Sequence, residues 1–330
     1  MENLPMGTWP QIVESFPLTV SQIFQQYTII PSDALDIFYH YTTHAGLEGI
    51  LRSGGFRATY RMGMNDAEEF AYARDVVYKA LNEIGRRRDL PNVAQSLTTY
   101  TRKNLDKFLD DTTEMSRAYC ACLTISPDHP EQWETYAELG MGFAIGFNLS
   151  LLLKMQVPAV QRRAPFIFCA PVTYNQRDQC DLVWRLVEAS ICDLQTFAAT
   201  CSRQAEHLTA LGDRITQEIV VHLLTLIDFI KAPTFNSERE VRLVLDPNDG
   251  TLKTSHIQYY IRNNESIPFI FIDLRNPKTR RLPLAEIKVG PSASFFEGKA
   301  FLEDLLDELV YGSNYGDRPR ITQSALKGRN

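Results

Sequence analysis

Hydrophobic and polar positions along the chain switch between two periods, one near two residues and one near four. Asp36-Ile37-Phe38-Tyr39-His40-Tyr41 is an aromatic and β-branched run that predicts a strand. Thr43 then stands where a helix N-cap belongs. Gly46, Leu47, Ile50 and Leu51 recur on one side, and Gly54-Gly55 ends the helix. Residues 56–60 predict a second short strand. Helical spacing returns after Asn65-Asp66, where Phe70, Ala73, Val77 and Ala80 or Leu81 carry a helix to about Ile84. Another helix is expected over 91–113. Apolar strands are expected over 118–124, 142–147 and 166–174. Residues 180–230 have no proline and only Gly212, which predicts two or three helices. Strands follow over 240–245, 256–261, 268–274 and 286–289, and a last helix covers 296–310.

Grouped strands around helices predict an α+β fold with a mixed sheet rather than a regular βαβ array. The expected layout is a short leader over 1–34, with one helical stretch at 20–27. A main domain over 35–312 follows, interrupted by a helical insertion at 180–230, and a loose tail covers 313–330. Neither a G-x-G-x-x-G nor a P-loop sequence is present.

Composition narrows the function classes. The chain has 330 residues, 44% of them hydrophobic, so it can bury a full core. The net charge of -6 lacks the electrostatic footprint of a general nucleic-acid binder. No apolar run approaches the ~18–20 residues that cross a bilayer, and the N-terminus lacks the pattern of a secretory signal. The expectation is a soluble, cytoplasmic protein with no membrane partner, although delivery into a host cell would fit the same features. The six cysteines include no C-x-x-C pair and several lie in apolar runs, so they are expected to be reduced and structural, with no metal site.

Several residues could carry chemistry. His40 closes a strand just before a helix, where a side chain can meet a ligand hydroxyl; the plain alternative is a satisfied core histidine. Glu238 and Glu240 flank Arg239 at the mouth of an apolar strand. As strand residues they would share one face and repel, which suits acid–base or cation-stabilising work. The alternative is a solvated pair balanced by Arg239 and Arg242. Thr124-Ile125-Ser126 closes a strand. Trp133 and Tyr136, three apart, share a helix face and form either a stacking wall or ordinary core. Asp66, Glu68 and Glu69 are better read as a capped, dipole-favoured helix start than as metal ligands. Arg57 is a candidate diphosphate contact or a surface arginine.

Taken in order, Tyr39-His40-Tyr41-Thr42, Asn65-Asp66-x-x-Glu69, Gln132-Trp133-x-x-Tyr136, Gly142-x-x-Ile145-Gly146-Phe147 and Glu238-x-Glu240-x-Arg242 resemble a large bacterial family of uncharacterised proteins. The resemblance spans about residues 38–310. That family in turn resembles the ADP-ribosyltransferase superfamily, whose members place a His or Arg on a first strand, an S-x-S or a Tyr centrally, and a Glu at the start of a later strand. His40 matches the first element and Glu240 the last. The central element is filled either by Thr124-Ile125-Ser126 or by Tyr136, and the insertion at 180–230 is extra.

The resemblance implies a split mixed β-sheet flanked by helices, and transfer of ADP-ribose from NAD to a macromolecular acceptor of unknown kind. Members often serve as toxins, effectors or defence factors. NAD would be a substrate, and no metal is required. Glu240 would stabilise an oxocarbenium-like transition state, and Glu238 would orient or deprotonate the acceptor. His40 would hold ribose hydroxyls, with Tyr41 and Thr42 bordering the nicotinamide. Tyr136 or Trp133 would stack on it, Ser126 would brace Glu240, and Arg57 would meet the diphosphate. Replacing Glu240 would then abolish turnover with little harm to folding. A NAD glycohydrolase or other nucleotide hydrolase, a non-catalytic nucleotide-binding protein of the same fold, and, less well supported, a metal nuclease using Asp66, Glu68 and Glu69 are the rival expectations.

Overall fold

A computed structural model describes residues 37–63, 67–90, 92–110, 118–148, 167–200, 216, 219–245, 256–276, 278–311 and 318–326. The chain divides into two compact units, one of residues 1–29, 68–116 and 173–233, the other of 30–67, 117–172 and 234–330. The expected leader and the Asn65-Asp66 helix cap lie outside the described residues.

The first unit is helical. It holds α2 (Ala67–Arg86), α3 (Asn92–Asp110), α5 (Gln176–Thr200) and α6 (219–227). Their apolar stripes meet in one core that includes Ala73, Val77, Leu81, Ile84, Leu105, Val183, Leu186, Ile219, Leu223 and Ile227. The segment expected as an insertion is therefore half of a helical body, and the 67–110 helices supply the other half. Glu69, at the acidic start of α2, pairs with Lys231 at 3.4 Å. Gln179 is fully buried, and its side-chain amide donates to the carbonyls of Thr173 and Lys231.

The second unit carries the sheet, ten strands among the described residues: β1 (Ile37–Thr42), β2 (Gly55–Tyr60), β3 (Tyr119–Thr124), β4 (Phe143–Asn148), β5 (Ile167–Pro171), β6 (Glu240–Leu245), β7 (Ile257–Arg262), β8 (Glu265–Asp273), β9 (Leu284–Val289) and β10 (Arg320–Gln323). Helices α1 (His44–Ser53), α4 (Pro130–Tyr136) and α7 (Phe295–Glu308) pack with it. The start of α1 is as its sequence demands: Thr43 Oγ1 accepts from Gly46 N–H at 3.0 Å. Gly54 ends it at φ 79°, a backbone state that costs an L side chain about 1–2 kcal/mol.

Strand β3 is the branch point. Strand β6 pairs antiparallel along its whole length, from Tyr119–Leu245 to Thr124–Glu240, and β5 follows β6. The opposite edge of β3 is shared. Strand β1 meets it at Tyr39–Thr124, and β2 meets it at Thr59–Cys120 and Tyr60–Tyr119. Beyond those points the two strands diverge. Strand β1 leads to β4, β9 and β10; β2 leads to β8 and β7. The sheet is thus mixed and forked, its one parallel strand pair being β9 with β10 among the described residues. Side chains alternate across it. Phe38, Phe56, Leu123, Val241 and Ile287 enter a core with Leu47 of α1 and Leu302 of α7, while Tyr39, Tyr41 and Ala144 pack with Trp133 on the other side.

Two expectations change here. The tail over 313–330, expected to be loose, contributes β10. Glu238 and Glu240 do not share a strand face, because β6 begins at Glu240. Glu238 ends a 3-10 turn, and Arg239 between them is left-handed at φ 44°.

His222 lies buried in α6, and burial pushes its pKa down to about 4. The unfolded chain therefore binds this proton first on acidification. The stabilising contribution is complete above pH 6.5 and is lost as the pH falls from 6.5 to about 4, at on the order of 1.4 kcal/mol per unit. Urea unfolding across this window should show a shallower decline for His222→Leu than for wild type. Identical slopes would remove His222 from the acid response.

Candidate functional site

Divergence of β1 and β2 leaves the β3 edge over residues 121–123 without a strand neighbour among the described residues. A backbone carbonyl facing such a gap needs a donor. His40 supplies it, with Nδ1 3.0 Å from the Cys122 oxygen. A carbonyl can only accept, so Nδ1 carries the hydrogen. Burial lowers the His40 pKa, opposed by that same hydrogen bond, so the ring is neutral at pH 7 and Nε2 offers a lone pair. The ring packs against Phe56 of β2, with centroids 4.9 Å apart. One half-buried imidazole thus joins all three strands at the fork. It holds a structural bond through one nitrogen, Nδ1.

Across β3, Tyr39, Thr124 and Glu240 stand in one cross-strand row. Glu240 is 6% exposed and bidentate with Arg242, at 3.0 and 2.8 Å. Both side chains leave β6 on the same face, two residues apart, as the strand period requires. Cys122 sits opposite Arg242 in the register, and burial followed by the Glu240 charge raises its thiol pKa well above the usual range. This cysteine is not a thiolate nucleophile. Cys169 is similar, pushed up to about 12 by burial.

Thr124 ties the two motif strands together. Its hydroxyl donates to the Glu238 carbonyl at 2.7 Å, lies 3.2 Å from the Arg239 carbonyl, and accepts from Ser126 N–H at 3.1 Å. Ile125 N–H also bonds the Arg239 carbonyl. These bonds hold Arg239 in a left-handed state that costs a non-glycine residue of order 1 kcal/mol or more. That twist is what separates Glu238 from Glu240. The bracing hydroxyl expected of Ser126 is therefore Thr124's, acting on the backbone before Glu240. Ser126 instead accepts the Tyr41 hydroxyl at its carbonyl, at 3.0 Å.

The other expected site residues separate by exposure. Tyr41 is buried, and its oxygen also accepts from His129 N–H. Thr42 is buried against Gly46 and Gly142, and a side chain at Gly142 would strike the Thr42 carbonyl. Trp133 is 2% exposed, edge-on to Tyr41 at 4.8 Å, and donates its indole N–H to Asp128 at 2.6 Å, so it has no free face for a ligand. Tyr136, at the end of α4, is exposed. Arg57 on β2 is exposed, with its guanidinium over the rings of Phe269 and Tyr260 at 5.2 and 5.6 Å. His40 and Glu240 lie one residue out of step across the Tyr39–Thr124–Glu240 row, so they leave the sheet on opposite faces. The balancing of Glu240 by Arg242, offered in the sequence as the plain alternative, holds, but as a buried pair rather than a solvated one, and Thr124 of the strand-closing Thr-Ile-Ser supplies the bracing hydroxyl.

Residues 132–243 match the model of the family described as "Protein of unknown function (DUF2971)". The match runs from Gln132, in the Gln-Trp motif of α4, to Leu243 in β6, so it includes Glu238, Glu240 and Arg242. No curated protein and no solved structure matches the chain.

The buried pair revises what Glu240 replacement should do. Removing one partner of a buried ion pair costs roughly 3–5 kcal/mol. Arg242→Met should lower unfolding free energy by about that amount, and adding Glu240→Gln should restore part of it. Denaturant titration of the two single variants and the double gives the coupling. Strict additivity would mean that the two side chains do not depend on each other.

Proposed function

We propose that the chain transfers ADP-ribose from NAD to a macromolecular acceptor. One observation carries this reading: the strands that bear the histidine, hydroxyl and glutamate motifs, β1, β3 and β6, are consecutive neighbours, and Thr124 and Glu240 stand in one cross-strand row with Tyr39, the residue before His40. Three motifs far apart in sequence thus lie on neighbouring strands.

The reaction breaks the C1′–N bond between ribose and nicotinamide, and nicotinamide leaves with the electron pair. Positive charge develops on the ribose, where a fixed carboxylate stabilises it. Glu240 has that role, and Arg242 fixes its orientation. Glu238, half-buried and displaced from Glu240 by the Arg239 twist, takes the proton of the acceptor as the new C1′ bond forms. Tyr136 stacks on a ring of NAD, and Arg57 meets the diphosphate. Because His40 and Glu240 leave the sheet on opposite faces and Phe56 packs on the His40 ring, this reading puts the ribose on the Glu240 face, with His40 fixing the fork behind it.

The test is incubation with NAD labelled in its adenine half, with and without cell lysate, beside Glu240→Gln and Arg57→Ala. Circular dichroism checks that each variant is folded. Label on a macromolecule from wild type, absent with folded Glu240→Gln, supports the transferase and supplies its acceptor. Arg57→Ala, at an exposed position, should weaken NAD binding by about tenfold or more, as loss of a charge-assisted hydrogen bond does. Nicotinamide release without transfer makes the enzyme a glycohydrolase. Absence of both NAD binding and NAD turnover sinks the reading.

A further inference from the structure

The residues between β3 and α4 are held from an unexpected direction. Asp128 accepts three hydrogen bonds, each 2.6 Å long: from the Trp133 indole, from the Ser324 hydroxyl and from the Ala325 backbone N–H. Two of the three donors come from the C-terminal segment. That segment runs parallel to β9 from Arg320–Glu286 to Gln323–Val289, and Ser324 N–H continues the ladder to the Val289 carbonyl. Leu326 N–H bonds the Ser324 hydroxyl, and the Leu326 side chain packs with Tyr39, Tyr41 and Trp133. Residues 320–326 are therefore a strap laid across the sheet and closed on one carboxylate.

What the strap holds is the frame of the candidate site. The residue after Asp128, His129, donates its backbone N–H to the Tyr41 oxygen, and Tyr41 donates to the Ser126 carbonyl. Tyr41 neighbours His40. Ser126 and Ile125 lead back to Thr124 and Arg239, next to Glu240. The loop over 125–129 is thus bonded both to the strand that carries His40 and to the backbone that presents Glu240. Tyr39, on the other side of His40, donates to Glu286 of β9 at 2.6 Å, and the Arg320 guanidinium of the strap lies 3.5 Å from the same carboxylate. The strap grips both neighbours of His40, one through Asp128 and one through Glu286.

We propose that Asp128 is a positioning residue of the candidate site, and that the C-terminal segment 320–326 is the strap that sets its position. Asp128 touches no reacting atom in this scheme. It fixes the 125–129 loop, and the loop fixes His40 relative to Glu240. The catalytic part of the proposal rests on the NAD reading above; the strap itself does not.

The experiment compares Asp128→Ala, Asp128→Asn, Ser324→Ala and the Asp128→Ala/Ser324→Ala double variant in the full chain. Two readouts are used: steady-state kinetics with NAD, and NMR resonances of the His40 imidazole. An angstrom-scale shift of reacting groups costs on the order of a hundredfold in rate. Asp128→Ala should lower kcat by roughly tenfold to a hundredfold with KM for NAD little changed, and should move the His40 resonances. Asp128→Asn, which keeps an acceptor oxygen, should recover much of the loss. Ser324→Ala should do less harm than Asp128→Ala, and the double variant should be no worse than Asp128→Ala alone, because the two act through one contact. Unchanged kcat and unmoved His40 resonances in folded Asp128→Ala overturn the proposal, as does full additivity in the double variant. If wild type does not turn over NAD, the NAD reading fails by itself, and the His40 resonances alone decide whether the strap positions the site.

Discussion

One unpartnered carbonyl organises this molecule. A sheet that forks must leave part of an edge without its ladder, and a backbone oxygen without a donor costs of order 1–3 kcal/mol. The fork at β3 would carry that penalty at Cys122 if His40 did not reach it. The hydrogen bond explains why a histidine is found inside an otherwise aromatic strand and which nitrogen carries the hydrogen, and burial keeps the ring neutral against it. Phe56 closes against the same ring, so both ribbons beyond the fork are referenced to one side chain. The structural reading of His40 is thus satisfied in full at the fork.

On the other edge of β3 a second constraint acts through Thr124. Its hydroxyl bonds the backbone that turns left-handed at Arg239, and the turn delivers Glu240 into the sheet while leaving Glu238 outside it. Two carboxylates two residues apart therefore end in different surroundings. Glu240 is enclosed with Arg242 and Glu238 is half-buried. For the proposed reaction this separation matters more than the spacing. A charge-stabilising group gains from a fixed partner and exclusion of water, and a group that takes a proton from an acceptor must be reachable.

Most elements of the fold were legible because their causes are local. Thr43 and Gly54 bracket α1, the apolar repeat from Phe70 to Ile84 marks α2, and alternation marks β1, β3 and β6. Features that failed to show are those whose cause lies elsewhere in the chain. Nothing near Arg320 announces a strand, since β10 exists through its pairing with β9. Nothing in Glu238-Arg239-Glu240 announces a left-handed residue; the hydroxyl that stabilises it comes from Thr124, more than a hundred positions earlier. Within the site, His40, Glu240, Arg57 and Tyr136 stood out as residue types in suggestive places. The pairing of Glu240 with Arg242 and a core role for Trp133 were open alternatives in the sequence, and the faces of the sheet decide for both.

The same contrast explains how the candidate site combines rigidity with access. Tyr41, Thr42, Ser126 and Trp133 occupy motif positions but are buried, and Tyr41 bonds Ser126 and packs on Trp133, which bonds Asp128. They build the wall. Arg57 and Tyr136 are exposed, and His40 and Glu238 are half-buried. Of these, Arg57, Tyr136 and Glu238 can meet a ligand without disturbing the core. Glu240 stands between the two groups, in the core by burial and in the site by position. Its carboxylate has to serve the fold through Arg242 and the proposed chemistry through the ribose, so substitutions there will report on both. Substitutions at Arg57 and Tyr136 separate recognition from stability more cleanly.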